Sequence, residues 1–193
     1  MSKNLDQFYT RKVIAQKYYD ILRNKVDIDS FDSIIEPSAG NGSFFNLLPP
    51  NKRLGIDLDP MCEGLIKGNF LEFKPPPKKK ILVIGNPPFG SSNREAINFF
   101  NYSSMFADCI AFIIPRTFKR ITVQNKLSMD FVLLLSEDLP ERGIFIPENR
   151  VRCCFQIWVR AEQQRQKIIR PIKHPDFHFV QSKSALEADF AIR

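Results

Sequence analysis

The sequence predicts an α/β protein with a mostly parallel sheet, helices on both faces and an antiparallel hairpin at the end of the sheet. Short β-type runs bounded by turn residues alternate with stretches of helical apolar spacing, which is typical of βαβ units. The last two apolar runs are separated by a short turn that leaves no room for a crossover helix, so these strands must be antiparallel. A chain of 193 residues, 44% of them hydrophobic, is long enough to form one domain without a disulfide or metal scaffold.

The elements follow in a regular order along the chain. Thr10 is predicted to cap a first helix over 11–24, in which Ile14, Tyr18 and Leu22 recur at helical spacing. The predicted parallel strands are 33–37, 53–58, 81–86 and 109–115, the helices that follow them are 42–48, 93–106 and 122–137, and the hairpin strands are 142–146 and 151–160. The proline-rich run 74–80 lacks backbone donors, so we expect an exposed loop there.

The charge balance favours an anionic partner. The chain has 28 basic and 21 acidic residues and a net charge of +7, which points to nucleic acid first, although solvated surface lysines also account for many such balances. The N-terminus has no apolar signal core, and the longest apolar runs are far short of the about 18 residues that span a bilayer. We therefore expect a protein that is neither secreted nor membrane-bound, with a cytoplasmic location, or a nuclear one in a eukaryote or virus.

The cysteines do not form a metal-binding pattern. Cys62, Cys109 and the pair Cys153–Cys154 lack the spaced C-x-x-C pairs of a zinc site, and the chain has only two histidines, both near its end. We expect reduced thiols and no metal centre.

A loop rich in small residues follows the first predicted parallel strand. In EPSAGNGSFF (36–45), Gly40 and Gly42 permit positive φ and a close approach of the backbone to a ligand at the carboxyl ends of the strands. The usual phosphate-binding glycine patterns are absent, and Glu36 at the loop mouth would repel a pyrophosphate. The loop therefore favours a cationic ligand, and a purely structural tight turn is the alternative.

Polar residues also follow the next two predicted strands. GIDLDP (55–60) places Asp57 where a carboxylate accepts hydrogen bonds from both hydroxyls of a ribose, whereas Asp59 is expected to point the other way. GNPPFG (85–90) is the most specific feature of the chain, because one proline would suffice to stop a strand. The Asn before the prolines and the Phe after them add an amide and a stacking face at the same edge of the sheet.

Five segments in this order resemble a known family: DQFYT (6–10), EPSAGNG (36–42), GIDLDP (55–60), GNF (68–70) and GNPPF (85–89). They are similar to S-adenosylmethionine-dependent amino-methyltransferases, in particular the N6-adenine DNA methyltransferases with an (N/D)PP(Y/F) catalytic motif. The resemblance implies a Rossmann-like class I methyltransferase fold with a mostly parallel seven-stranded sheet, and a catalytic domain over 1–160. Residues 161–193 would then be a C-terminal extension or the start of a missing recognition domain.

The resemblance also implies how S-adenosylmethionine is bound. Glu36 would pair with the ammonium group of the cofactor, Asp57 would bind the ribose, and Phe70 would stack on the adenine. Asn69 departs from the Asp that the family usually has before this Phe, and its carbonyl oxygen would accept from the cofactor amine without a charge. The implied cofactor-binding residues are Tyr9, Thr10, Glu36, Pro37, Ser38, Gly40, Gly42, Asp57, Asn69, Phe70 and Asn86.

By the same resemblance, the catalytic residues are Asn86, Pro87, Pro88 and Phe89. The exocyclic amine of adenine is a poor nucleophile until hydrogen-bond acceptors pull on its N–H groups, and Asn86 Oδ1 and the Pro87 carbonyl would supply two of them. Phe89 would provide a face for the target base, which must be flipped out of a duplex before transfer.

A basic segment follows the strand that ends near 115. Arg116, Lys119, Arg120 and Lys126 lie between Asp108 and Asp130 with no acidic residue among them, again at the carboxyl edge of the sheet. We expect these four side chains to contact nucleic-acid phosphates, with an ordinary solvated surface as the alternative. Phe177 and Phe179 are candidates for a second stacking surface, although packing of a strand is the simpler interpretation.

The leading hypothesis is therefore methylation of adenine N6 in DNA. The alternatives are adenine N6 in RNA, a glutamine amide in a protein, or a nucleic-acid-binding subunit that has lost methyl transfer. About 33 residues after the sheet are fewer than a recognition domain usually has. A separate recognition subunit, a missing C-terminal recognition domain, or a single-stranded or structured RNA substrate would each account for this.

Overall fold

The computed structural model describes residues 8–77, 79–148, 150–169, 173–174 and 177–178. Its strands are β1 (Tyr9–Thr10), β2 (Ser33–Pro37), β3 (Arg53–Asp57), β4 (Ile66–Lys67), β5 (Ile81–Gly85), β6 (Cys109–Pro115), β7 (Phe131–Asp138), β8 (Phe145–Ile146), β9 (Cys153–Arg160), β10 (Lys173–His174) and β11 (Phe177–His178). The α-helices are α1 (Lys12–Arg23), α2 (Arg94–Ser103) and α3 (Ile121–Gln124). Short 3-10 turns cover Ile28–Ser30, Phe45–Leu47, Phe70–Glu72, Ser91–Asn93 and Arg116–Lys119.

A seven-stranded sheet in the order β4-β3-β2-β5-β6-β9-β7 forms the centre of the described part of the chain. β4, β3, β2, β5 and β6 are parallel, and β9 is antiparallel to both of its neighbours. The predicted α/β fold with a mostly parallel sheet and an antiparallel pair at its end is therefore confirmed. β2 has β3 on one side and β5 on the other, so the chain order reverses at β2, where a crevice forms at the carboxyl ends of parallel strands.

Both faces of the sheet are buried. Ile34 and Ile35 are neighbours in β2, and because successive strand residues point to opposite faces, they belong to two different core clusters. α1 packs on the first face through Ile14, Tyr18 and Leu22, among other side chains. α2 covers the second face through residues that include Phe99 and Phe100. Near-continuous apolar runs in the central strands follow from this two-sided burial.

The first helix forms where the spacing of apolar residues predicts it, with a different N-cap. Arg11 is the N-cap and makes no side-chain capping bond, whereas Thr10 belongs to β1. The expectation that Thr10 caps the helix is therefore wrong. Pairing of β1 with β8 decides the outcome, because it holds Thr10 opposite Phe145 in an extended conformation.

The predicted helix over 122–137 is wrong. α3 ends at Gln124, and Phe131–Asp138 is the edge strand β7, which pairs with β9. The run of leucines is compatible with a helix or a strand when it is considered alone, and the free edge of β9 selects the strand. The predicted hairpin of 142–146 with 151–160 is also wrong, because Phe145–Ile146 forms β8 opposite β1, and β9 pairs instead with β6 and β7. The predicted helix over 42–48 is also reduced to the turn Phe45–Leu47.

The first residues after β9 are attached to the sheet edge. The Arg165 guanidinium donates to the carbonyl oxygens of Phe131, Gln124 and Leu127, and it lies 5.5 Å from the centre of the Trp158 ring. β10 and β11 pair in antiparallel register further along. Phe179 lies outside the described residues, so the second stacking surface and the domain boundary at 160 stay predictions.

Two further sequence predictions concern cysteines and membranes. Cys62, Cys109, Cys153 and Cys154 are free thiols, and burial raises the pKa of the last three to about 12. Among the described residues, every helix is too short or too polar to cross a bilayer.

Candidate functional site

A pocket opens at the carboxyl ends of β2, β3 and β5, with β1 as an additional wall. It is lined by Phe8, Tyr9, Ser38, Gly40, Asp57, Leu58, Asn86, Pro87, Pro88 and Phe89. Residues from four of the five predicted motifs, far apart in the chain, therefore meet in one cavity. This cavity lies at the point where the order of the strands reverses.

The loop after β2 requires glycine for two different reasons. Ser38, Gly40 and Gly42 all have positive φ, of 53°, 51° and 73°. A β-carbon at Gly40 would lie 2.7 Å from the Tyr9 ring, so only glycine lets the loop pass under this wall of the pocket. A β-carbon at Gly42 would instead meet Cys62 Sγ at 2.8 Å, on the side away from the pocket. Gly40 thus shapes the pocket, and Gly42 shapes the turn behind it.

Asp57 connects the end of β3 to this loop. Its Oδ2 accepts from the Gly40 N–H at 2.7 Å, and its Oδ1 accepts from the Asp59 N–H at 2.8 Å. Each carboxylate oxygen has a second lone pair that remains available to a ligand in the pocket. The pKa of Tyr9 is raised, first by burial and then by the charges of Asp57 and Asp59. The carboxylate therefore dominates the charge of this end of the pocket.

Glu36 lies behind the loop and is not among the residues that line the pocket. Its side chain is buried, and Oε2 accepts from the Phe45 N–H at 2.5 Å. Burial raises the pKa of Glu36 well above its ordinary value, while the N–H groups of Phe45 and Phe44 act in the opposite direction. In the structure Glu36 thus organises the backbone that closes the loop.

Asn86 is held by the N-terminal segment of the chain. Its Nδ2 donates to the Phe8 carbonyl at 3.1 Å, whereas its Oδ1 is buried and has no hydrogen-bond partner among the described residues. An unpaired buried acceptor costs about 1 to 3 kcal/mol, so a donor that arrived in the pocket would recover that energy. Thr10 Oγ1 is likewise buried without a partner in the described part of the chain.

Pro87, Pro88 and Phe89 continue the wall of the pocket after Asn86. The Phe89 ring is partly buried and packs edge-on against Phe145, with 6.1 Å between the ring centres. It therefore presents one surface to the core and another to the cavity.

Asn69 and Phe70 lie outside the pocket lining. Asn69 Oδ1 caps the turn that follows by accepting from the Leu71 N–H at 3.1 Å. The Phe70 ring is 2% exposed and stacks on Phe99 at 5.2 Å between centres, with Tyr102 edge-on at 5.4 Å. Both side chains thus have local structural partners in this structure.

Phe8 and Leu58 line the pocket, although the sequence reasoning did not single them out. Leu58 is 55% exposed, which is unusual for a leucine next to a buried strand. Its position directly after Asp57 was a sequence signal that could have placed Leu58 in the pocket. Phe8 belongs to the DQFYT segment, but its own place in the pocket depends on the pairing of β1 with β8.

The predicted basic segment divides into two pairs. Arg116 and Lys119 both contact Asp138 Oδ1, at 3.5 and 2.5 Å, and the hydrogen bond from Lys119 lowers the pKa of that carboxyl. Arg120 and Lys126 are exposed and have no ion-pair partner within the described ranges. Asp138 lies at the end of β7 and meets this segment only because β7 pairs with β9.

Comparison with known proteins identifies the fold. No family model and no curated protein matches this chain. Among solved structures, a candidate RNA methyltransferase from Pyrococcus horikoshii is 17% identical with a TM-score of 0.63, covering 81% of this chain and 88% of that one. The 23S rRNA methyltransferase ErmE is 14% identical with a TM-score of 0.57, covering 81% of this chain and 71% of that one.

A third similar structure is the N-methyltransferase NodS from Bradyrhizobium japonicum, determined with S-adenosyl-L-homocysteine. It is 11% identical with a TM-score of 0.56, covering 76% of this chain and 87% of that one. Identities this low establish the architecture only. The chain has the Rossmann-like fold of class I methyltransferases.

Proposed function

We propose that the protein is an S-adenosylmethionine-dependent methyltransferase that methylates the N6 amine of adenine in DNA. The observation that carries this proposal is Asn86 Oδ1, a buried acceptor that has no partner within residues 8–77, 79–148 and 150–169, at the start of the Asn-Pro-Pro-Phe wall. We infer the specificity for adenine from the resemblance of the five sequence motifs, and we infer methyl transfer from the fold.

The residues of the pocket fit the cofactor. Asp57 offers carboxylate lone pairs for the two ribose hydroxyls, at the end of the strand next to β2. Gly40 lets the backbone approach the methionine part closely. Thr10 and Gly42 are not among the lining residues, so their contacts with the cofactor stay predictions. The exposed Leu58 side chain provides an apolar face for the adenine ring. Pairing of the ammonium with Glu36 and stacking on Phe70 stay predictions.

The chain's own residues activate the acceptor amine. When bound, S-adenosylmethionine supplies an electrophilic methyl group on a sulfonium centre. Asn86 Oδ1 and the Pro87 carbonyl accept hydrogen bonds from the two amine N–H groups, which draws electron density onto the nitrogen. These bonds strengthen as the nitrogen becomes cationic, so they stabilise the transition state more than the ground state. The arylammonium product is acidic and loses its proton to water, so no side chain is needed as a base.

Phe89 holds the target base in place. Its packing on Phe145 restricts the ring, and a restricted ring loses little entropy when a base stacks on it. Phe89→Tyr and Phe89→Trp keep a planar face and should retain substantial activity.

RNA is the second candidate substrate. Two of the similar structures are named as RNA methyltransferases, one of them of 23S rRNA. The same pocket chemistry serves adenine in either polymer, because the acceptor amine is identical.

The deciding experiment measures methylated nucleosides by mass spectrometry after incubation with labelled S-adenosylmethionine and duplex DNA, single-stranded DNA, RNA or unfolded protein. We expect N6-methyladenosine in its deoxy form from DNA. Label on glutamine, or no transfer to any substrate despite cofactor binding, would contradict the proposal.

Asn86→Ala should reduce the transfer rate by on the order of a hundredfold, with cofactor affinity nearly unchanged. Asn51→Ala is the matched control, since it removes the same side-chain amide at an exposed position outside the pocket lining. Transfer by Asn86→Ala at the parent rate under single-turnover conditions would remove Asn86 from the reaction.

A further inference from the structure

Strand β1 forms a wall of the pocket although it has only two residues. It pairs with β8 so that Tyr9 lies opposite Ile146 and Thr10 opposite Phe145. The Arg11 N–H continues this pairing by donating to the Ile144 carbonyl at 2.8 Å. These backbone hydrogen bonds hold the start of the described chain at the carboxyl edge of the large sheet.

The main-chain carbonyl of Phe8 decides which way the Asn86 amide is turned. A carbonyl oxygen only accepts hydrogen bonds, so the group that faces it at 3.1 Å must be the amide nitrogen. The amide oxygen therefore takes the opposite side, where it is buried and no described residue bonds to it. If the amide were reversed, two oxygens would face each other at Phe8, and N–H groups would face the N–H groups of an incoming amine.

One buried ring supports both sides of this contact. Phe145 is 0% exposed, and its ring centre is 6.4 Å from that of Phe8 and 6.1 Å from that of Phe89. Phe8 carries the carbonyl that holds Asn86, and Phe89 lies three residues after Asn86. The Phe145 ring thus sets the distance between the N-terminal segment and the Asn-Pro-Pro-Phe segment.

We propose that β1 is a positioning element of the active site: the Phe8 carbonyl, held by β8 and the Phe145 ring, orients the Asn86 amide so that Oδ1 is presented to the amine that is methylated. This inference rests on the proposed function. Asn86 is the catalytic residue, and Phe8 and Phe145 act through it.

The first test replaces the amide by a group that donates only when it is protonated. In Asn86→Asp, an ionised carboxylate repels the Phe8 carbonyl, whereas the neutral acid donates to it and leaves its other oxygen free. Because the ordinary aspartate pKa of about 3.9 lies below this range, the neutral fraction rises about tenfold for each pH unit, and the ratio of variant to parent transfer rates should rise with it as the pH falls from about 8 to about 6. Tyr9, Asp57 and Glu36 also surround the site, but they are present in both proteins, so the rate ratio corrects for them. A flat ratio would overturn the proposal.

The second test needs no methyl transfer. In nitrogen-15-labelled protein, the side-chain amide of Asn86, assigned by its absence in Asn86→Asp, should exchange its protons with water more slowly than that of Asn101. Asn101 Nδ2 donates to the Lys126 carbonyl at 3.0 Å in an exposed position and is the reference. Equal exchange of the two amides would overturn the orienting bond.

Phe145→Leu should speed the exchange of the Asn86 amide and lower kcat about tenfold or more, with KM for S-adenosylmethionine little changed. Phe131→Leu, an equally buried ring on the other face of the sheet, is the control for lost stability. Equal effects of the two variants on kcat would overturn the role of Phe145.

The outcomes separate the two proposals. A slowly exchanging Asn86 amide in a protein that methylates nothing would refute the proposed function and keep the orienting bond. Transfer to DNA with a freely exchanging Asn86 amide would refute the orienting bond and keep the proposed function.

Discussion

Single residues in this site have roles that depend on what each polar atom already contacts. Asp57 bonds two backbone N–H groups and still faces the pocket, whereas both polar atoms of the Asn69 side chain bond within its own turn. A side chain whose hydrogen-bonding capacity is used locally has little left for a ligand. The hydrogen-bond partners of each polar atom therefore indicate which candidate residues can bind a ligand better than the residue type does.

Asp57→Ala should weaken S-adenosylmethionine binding by about 1.5 to 3 kcal/mol, because the ribose hydroxyls lose a charged acceptor. Calorimetry should show a dissociation constant raised roughly 10- to 150-fold. Asp57→Asn keeps an acceptor of the same shape and should lose less affinity. Unchanged affinity in the alanine variant would remove Asp57 from the ribose site.

Phe70→Ala should mainly reduce stability. The ring is buried against Phe99 and Tyr102, and removal of such a side chain costs about 3 to 5 kcal/mol. Chemical denaturation should reveal this loss, while cofactor affinity at a temperature where the variant is folded should change little. A drop in cofactor affinity without a loss of stability would instead support the predicted stacking of Phe70 on the cofactor adenine.

Among the larger elements, the β2 loop shows how a buried charge couples structure to pH. Glu36 accepts a hydrogen bond from the Phe45 N–H behind the loop, and burial raises the pKa of Glu36 well above its ordinary value. The native state therefore binds the proton of the Glu36 carboxyl more tightly than the unfolded chain does, and this difference stabilises the native state. The stabilisation is complete below the ordinary glutamate pKa of about 4.3. It is lost as the pH rises through the raised pKa.

Glu36→Gln should therefore gain thermal stability relative to the parent as the pH rises above about 4.3, because glutamine cannot ionise and its oxygen still accepts from Phe45. Melting temperatures of both proteins across a pH series measure this difference. Glu63→Gln, on the exposed side of the same region, is the control. A melting-temperature difference that does not change with pH would show that the Glu36 carboxyl does not titrate differently on folding.

At the level of the whole molecule, the count of 28 basic residues overstates the number of cations available to a partner. The described ion pairs are those of Arg11 with Glu148, Lys17 with Glu137, Arg116 and Lys119 with Asp138, and Arg152 with Glu141. Arg116 is further held by the Leu139 carbonyl at 3.1 Å. A cation that is already paired contributes less to phosphate binding than an exposed, unpaired one.

Arg120→Ala should flatten the dependence of log affinity on log salt concentration by about one unit if Arg120 contacts a phosphate of the nucleic acid. Lys119→Ala should flatten it by less, because Lys119 is paired with Asp138. Titrations at several salt concentrations measure both slopes, with Lys17→Ala as a control on α1. If neither Arg120→Ala nor Lys119→Ala changes the salt dependence, the segment 116–126 is an ordinary solvated surface.

Local patterns predicted most of the central fold correctly. A hydrophobic run followed by a turn locates β2, β3, β5 and β6 because burial on both faces demands such runs. The motifs at their carboxyl ends were correctly expected at one edge, since parallel strands all end on the same side. Asp57 and Asn86 in the pocket lining follow from that rule alone.

The tertiary contacts decided the features that depend on remote partners. Phe131–Asp138 is a strand because β9 offers it an edge, and Thr10 is extended because β8 pairs with β1. The same contacts aim Glu36 at the Phe45 backbone and turn the Asn86 amide with its nitrogen toward Phe8. Propensity and spacing describe how a segment behaves alone, whereas pairing energy and the direction of a side-chain atom exist only between segments that folding brings together.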